Sequence, residues 1–433
     1  MAIEDDVLVI GGGLAGATAA LAAADRGVSV RLVSAKQSTL RHASGLIDVL
    51  GYAPAGDGLL DDPFTAVDDC PNGHPYERVG LESVRDALAF FDEIAGDAYE
   101  GAHTDANALV PTHSGTVKPT ARYPAASAAG LASDDRDALL VGFETLPDFD
   151  APLAAPHLEA AGVPFSARGV TVRFPGIARD DAKVTRYAHL LDRDETVATA
   201  AGETTAREAL AEIVRPHLEG EARVGFPAVL GDERAADVRA ALADQLGVDV
   251  FEVPMGPPSL PGMRLEDLLY DALEAAGVRL TTGVPVVDYE TGGETGAADP
   301  ERIDRAIVDR NGTEIPHRAE QYVLATGGLV GKGVQSDRER VSEPIFDCHV
   351  PHSADRYDWF VDDVFGDQPY ARFGLPVDRD LRPLDAADAL EFANLRAAGA
   401  VLGGYDFAAE KSGSGVSLAT GYVAGRRAAE GCR

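Results

Sequence analysis

The chain has 433 residues, 45% of them hydrophobic, and a formal net charge of −33. Its length exceeds one ordinary domain and suits a two-domain protein with a large core. Such an acidic chain cannot neutralise a row of phosphates, which excludes a nucleic-acid partner, and no apolar run approaches the roughly 20 residues that span a bilayer.

The N-terminus is acidic and enters a strand directly, so no signal peptide is expected. Residues 5–34 predict a β–α–β unit: apolar Val7 to Ile10, a glycine turn, an alanine-rich helix, and a strand from Val28 to Val33. A loop, "RHASGLIDVLGYAPAG", follows at 41–56, and an amphipathic helix is expected at 80–96. "DALLVGFETLPDFDA" (137–151) reads as strand, loop and helix start, and "ARVGFPAVLG" (222–231) as a strand entering a turn before a helix near 233–246. Residues 249–283 read as strand, proline-rich loop, helix and strand, the prolines forbidding helix through the loop. From Val284 to Ile315 short strands are expected around an exposed hairpin connection, "ETGGETGAADPE". "AEQYVLATGG" predicts a strand ending in small residues. The last segment reads as strand, glycine loop and a helix from about Val416 with Ala and Gly on one face.

This order predicts an α/β chain with a discontinuous Rossmann-like, flavin-binding domain at 1–56, 264–333 and 385–433. Residues 57–263 and 334–384 would form an inserted α+β cap.

Three glycine stretches carry the chemistry. In Gly11-x-Gly13-x-x-Gly16 the first glycine allows a tight turn, the second lets phosphate oxygens approach the backbone, and the third lets the helix pack closely. The helix N-terminus then offers unpaired N–H groups to an anion. Where such units normally hold a ribose-binding acid, this chain has Ser34, which makes only a neutral hydrogen bond. Either the adenosine grip is weakened or there is no adenosine to grip. Lys36 and Arg31 raise the question of a 2′-phosphate, although Arg31 reads better as a solvated strand residue. "VLATGG", with Thr326 and Gly327, fits a return strand passing the nucleotide. Gly403, Gly404 and Gly415 precede or open a C-terminal helix whose N-terminus would favour a reduced, anionic flavin. The loop with His42, Ser44, Gly45 and Asp48 reads equally as a flavin-edge contact and as a capped turn.

His42 and His349 are candidate bases, and Arg264 is a candidate anion contact that reads equally as a helix-start salt bridge. Cys70, Cys348 and Cys432 form no C-x-x-C pattern, so neither an iron–sulfur cluster, another metal site nor a disulfide framework is expected, and a cytoplasmic setting is inferred. The acids spread along the whole chain, and only five positive side chains are lysines. That pattern reads as a halophile's solubility adaptation.

The stretches "VIGGGLAGATAAL", "QSTLRHASGLIDVL", "HPY", "LLVGFETLPDFDA", "PPSLPGMRL", "LATGG", "SEPIF" and "AGAVLGGYDF" run in order through nearly the whole chain. In them the sequence resembles the B subunits of the anaerobic glycerol-3-phosphate dehydrogenases, and its acidity suggests a halophilic archaeal member. The resemblance implies oxidation of sn-glycerol 3-phosphate to dihydroxyacetone phosphate in a three-part enzyme. The A subunits of that family are the FAD-type dehydrogenases. The B subunits carry FMN, with FAD as the alternative here. An iron–sulfur C subunit anchors the pair at the inner face of the membrane and passes electrons to quinone. FMN has no adenosine ribose, so Ser34 in place of an acid would lose nothing. A non-catalytic scaffold or electron-relay role supporting the FAD-type dehydrogenase is the competing reading.

Overall fold

The computed structural model describes residues 3–54, 58–179, 182–200, 202–292 and 300–432. It divides into two compact units: residues 1–39, 48–94 and 268–433, and residues 40–47 and 95–267.

The first unit is built on a seven-stranded sheet. Ile3–Ile10 lies between Val30–Ser34 and Thr313–Leu324, parallel to both, and Arg279–Thr282 adds a further parallel strand outside Val30–Ser34. Leu395–Ala397 also pairs in parallel with the return strand. Ile303–Arg310 and Val286–Thr291 extend the sheet antiparallel. Of the hairpin connection expected between these two, residues 293–299 lie outside the described residues. The central strands read as near-continuous apolar runs because both faces are covered: Val7, Val9, Leu32 and Val323 are fully buried.

The helix Leu14–Ala24 packs along the C-terminal helix Gly413–Gly431. A Cβ at Gly421 would stand 2.5 Å from the Ala15 carbonyl oxygen, and one at Gly425 would stand 2.1 Å from that of Ala19. The small face expected of the last helix is therefore the seam that lets two backbones approach.

Residues 58–94 and 334–384, expected in the cap, group with the first unit. The reason is packing. The helix Pro75–Ala95, which starts earlier than 80 and kinks at Gly80 (φ 79°), buries Val84, Leu88 and Phe91. Tyr76 donates its hydroxyl to the Val49 carbonyl at 2.9 Å, and Phe90 meets Tyr422 at 5.3 Å between ring centroids. On the other side Phe346 packs with Tyr289 and Phe392. Arg31, expected in solvent, is instead ion-paired: its Nε lies 2.7 Å from the Asp5 carboxylate.

The second unit centres on a four-stranded parallel sheet in the order Ala167–Val172, Ala138–Phe143, Arg223–Pro227, Asp249–Val253. Short antiparallel pairs, among them Ala108–Pro111 with Val117–Thr120, accompany it. Its core joins Phe143, Phe174, Tyr187 and Phe226 to the apolar faces of the surrounding helices.

Candidate flavin site

The first strand ends at Ile10, and the chain turns through Gly11 with φ at +121°. A Cβ there would lie 2.1 Å from the Ala325 carbonyl oxygen, so the turn is pressed against the return strand and only glycine fits. Gly13 is the opposite case: its Cβ direction is open, with nothing within 4 Å. Gly13 is also the N-cap of the helix Leu14–Ala24, which has no side-chain cap and no acid in its first turn. Its leading N–H groups therefore need a partner, and an anion is the natural one.

The turn opens into a cavity of about 520 Å³ lined by residues 10–15, 33–39, 285–287, 325–327, Gly331 to Gly333, Gln335, Pro344, Ile345, Ala398, Ala400 and Ser417. No aspartate or glutamate is among them, although the whole chain holds 71. Two of the five lysines, Lys36 and Lys332, are. A strongly acidic protein thus leaves the lining of this cavity free of carboxylate and puts two cations on the same wall as a helix N-terminus, an arrangement suited to a phosphorylated ligand. Thr326 Oγ1 on its wall is buried and has no hydrogen-bond partner among the described residues, which suits a polar group of a bound molecule. The set fits a flavin phosphate and ring.

Of the residues singled out from sequence, Gly11, Gly13, Ser34, Thr326 and Gly327 line the cavity. Ser34 is buried, and its hydroxyl faces the Lys36 carbonyl at 3.3 Å. Gly16 sits behind the loop, where a Cβ would strike the Gly11 carbonyl. Gly403, Gly404 and Gly415 are not in the wall: their Cβ directions meet Gly374, Gly73 and the Tyr76–Asp48 pair, so they serve packing. The C-terminal helix reaches the cavity through Ser417 instead.

His42, Ser44, Gly45 and Arg264 belong to the second unit. Ser44 Oγ accepts from the Leu46 N–H at 3.4 Å, the capped-turn alternative, and Gly45 (φ +77°) turns against Pro261. His42 is exposed at the end of a short 3-10 turn. Arg264 offers no free guanidinium. Its Nη1 lies 2.6 Å and its Nη2 3.1 Å from the two oxygens of the buried Glu252, whose Oε1 also accepts from the Leu230 N–H. The salt-bridge alternative is the one found. His349 is half-buried, and its backbone N–H is held by Glu391 at 2.8 Å. Asp385 beside it is held low by the N–H groups of Ala389 and Ala387, with a smaller contribution from His349.

Sequence reasoning missed the wall built by "SEPIF". The buried Glu343 carboxylate accepts the N–H groups of Ile345 at 2.9 Å and Phe346 at 2.7 Å, fixing the turn that presents Pro344 and Ile345 to the cavity. Burial pushes its pKa up to about 7 against the pull of those N–H groups, and the charge of Glu391 adds to the rise. The signal available in sequence was an acid directly before the apolar run Pro344 to Phe346. All three cysteines are free thiols, and burial raises Cys70 to about 12 and Cys432 to about 11. Among the described residues no three His, Cys, Asp or Glu side chains gather to hold a metal ion.

The family described as FAD binding domain matches residues 6–416. A Halobacterium salinarum protein, described as the probable B subunit of an anaerobic glycerol-3-phosphate dehydrogenase, is 65% identical over 432 residues, 99% of each chain. A Pectobacterium atrosepticum protein, described as the B subunit of an anaerobic glycerol-3-phosphate dehydrogenase, is 31% identical over 95% of this chain and 96% of its own. Among solved structures, a 3-ketosteroid Δ1-dehydrogenase from Sterolibacterium denitrificans aligns over 99% of both chains at 14% identity with a TM-score of 0.47. The chain that carries this glycine turn, uncapped helix and acid-free cavity thus belongs to the FAD binding domain family and, within it, to the B subunits of the anaerobic glycerol-3-phosphate dehydrogenases, a family of flavin oxidoreductases.

Proposed function

We propose that this chain is the flavoprotein B subunit of a complex that oxidises sn-glycerol 3-phosphate to dihydroxyacetone phosphate and delivers the electrons to quinone through an iron–sulfur partner. The observation that carries the reading is the carboxylate-free cavity with Lys36 and Lys332 beside the uncapped helix at Gly13. The relatives are described as one subunit of a larger enzyme, which supports two partners: a FAD-type dehydrogenase chain and an iron–sulfur chain. No helix among the described residues is long and apolar enough to cross a membrane, so attachment to its inner face would come through the iron–sulfur partner.

The cofactor we propose is FMN. Ser34 ends the second strand without an acid, and no lining residue supplies one, so nothing there grips an adenosine ribose by charge. FAD is the alternative, favoured by the description of the matching family. When bound, the flavin supplies the acceptor for a hydride from C2 of the substrate. The N–H groups after Gly13 and the two lysines would hold its phosphate, and Thr326 Oγ1 would gain a partner. Glu343 holds the turn that carries Pro344 and Ile345 on one wall.

Of the two candidate histidines, His349 lies in the same unit as the cavity and is the proposed acceptor of the C2 hydroxyl proton. Arg264 leaves that set because Glu252 already occupies it. A second reading, in which this chain relays electrons or scaffolds the FAD-type dehydrogenase, is favoured by the absence of His, Asp and Glu from the described cavity wall.

The test has two steps. Protein purified in high salt is denatured, and the supernatant is separated against FMN and FAD standards. FMN supports the ribose-free site, whereas FAD means that the ribose grip lies elsewhere. The folded protein is then mixed anaerobically with glycerol 3-phosphate. Bleaching of the flavin without the FAD-type partner supports oxidation here; an unbleached flavin favours the relay reading.

A further inference from the structure

The apolar side chains of the first unit are mostly buried, but one segment reverses the rule. Between residues 355 and 373, Tyr357, Phe360, Val361, Val364, Phe365 and Tyr370 are exposed. Val364 is 81% and Phe365 98% accessible, at the tip of the loop. Scattered exposed apolar residues need no explanation; a run of six on one loop does.

The loop is built to hold that tip outward. The Gln368 side chain accepts the Val361 N–H at 3.1 Å and donates to the carbonyls of Val361 at 3.4 Å and Asp363 at 2.7 Å, clamping the two arms together. Asp363 accepts the Phe365 N–H at 3.0 Å, and Asp355 caps the turn before it. At the base, Trp359 donates to the Ser353 carbonyl at 2.7 Å and packs edge-on against His352 and Phe373. The side chains of Val364 and Phe365 take no part in this scaffold. A preorganised loop that presents an aromatic anchor loses little conformational entropy on docking, the property of an interface hot spot.

Its charge selects the occupant. Asp355, Asp358, Asp362 and Asp363 lie on the same loop and are exposed, while Asp367 pairs with Arg372 and Arg356 is the other cation, so the loop stays net acidic. These acids repel an anionic lipid surface and repel the same loop on a second copy of this chain. They complement an apolar pocket rimmed by arginine or lysine.

We propose that the loop 355–373 is a docking knob that inserts Val364 and Phe365 into a basic-rimmed apolar pocket on a companion chain of the complex. This rests on the reading of the protein as one part of a multi-subunit enzyme.

The experiment co-expresses the full chain with the FAD-type and iron–sulfur partners and recovers the assembly through a tag on those partners in high salt. The variants are Val364→Ser with Phe365→Ser, and separately Asp362→Lys. The double variant is expected to lower the recovered chain at least tenfold, and Asp362→Lys to lower it severalfold. Flavin content and melting temperature of the isolated chain should stay unchanged, because neither side chain packs inside the fold. Undiminished recovery of the double variant beside a recovered wild type overturns the knob and leaves the complex standing. A wild-type chain that neither partner retains overturns both. Binding of the isolated chain to phosphatidylglycerol vesicles, or its self-association in sedimentation, overturns the proposal if the double variant abolishes it.

Discussion

The turn after Ile10 in the first unit and the turn after Pro227 in the second begin alike. A buried parallel strand ends, a turn containing glycine follows, and a helix starts at Leu14 or at Ala235. In the first unit the N–H groups at the helix start face a cavity without a carboxylate. In the second, the buried Asp192 fills that place: its carboxylate accepts the N–H groups of Asp232 at 2.8 Å, Glu233 at 3.2 Å and Arg234 at 3.1 Å. Asp192 closes the helix Val184–Asp192 and arrives from outside the turn. One side chain from elsewhere therefore turns an anion site into a structural joint. The comparison teaches that strand–turn–helix geometry prepares an anion cradle, and that tertiary contacts decide whether a ligand or the protein occupies it.

Substitutions can break this contrast. The largest effect is expected at Gly11→Ala. The added Cβ must displace the return strand at a backbone with positive φ, so flavin retention should be lost along with about 3 kcal/mol or more of stability. Flavin content per chain and a denaturant midpoint measure both.

Asp192→Ala should cost about 3 kcal/mol by orphaning three N–H groups, while flavin content stays that of the wild type. If the cradle idea is right, added sulfate raises the melting temperature of this variant more than that of the wild type. An equal response to sulfate in both would count against it.

Glu343 adds a pH dependence to the cavity wall. Its folded pKa is raised from 4.5 to about 7, chiefly by burial. The folded state therefore holds its proton more tightly than the unfolded state. Stability from this group is full below pH 4.5 and is lost as pH rises through about 7, by up to roughly 3 kcal/mol. Glu343→Gln should flatten the fall in melting temperature between pH 5 and 7, leaving the low-pH values close to the wild type.

Gly13→Ala sharpens the contrast with Gly11. Nothing in the protein meets its Cβ, and its φ of −80° suits alanine. The flavin-free fold should be unchanged within about 0.5 kcal/mol, while flavin affinity falls about tenfold, or about 1.4 kcal/mol. Equilibrium dialysis with FMN reads the difference. Lys36→Ala should have the smallest effect, a fewfold loss of FMN affinity that fades with added salt, because its charge is exposed.

Much of this was legible in the chain itself. The glycine spacing at Gly11, Gly13 and Gly16 and the apolar run before it determine the β–α–β start, because turn sterics and strand burial are local requirements. The missing acid at Ser34 is likewise a fact of sequence, and the long stretches from "SGLIDVL" to "VLGGYD" carry the family. Other features depend on partners distant along the chain. Arg264 reads as an available cation until Glu252 is found on it. Gly403, Gly404 and Gly415 read as cofactor glycines until their Cβ directions are seen to meet backbone and Tyr76. Glu343 drew no reading from the sequence, and only the fold shows it buried with its carboxylate on the N–H groups of Ile345 and Phe346. Local sterics and hydrophobic periodicity write strands, turns and helices into short windows of sequence. Which polar group satisfies which is settled by contacts that span tens to hundreds of residues, and so by the tertiary structure alone.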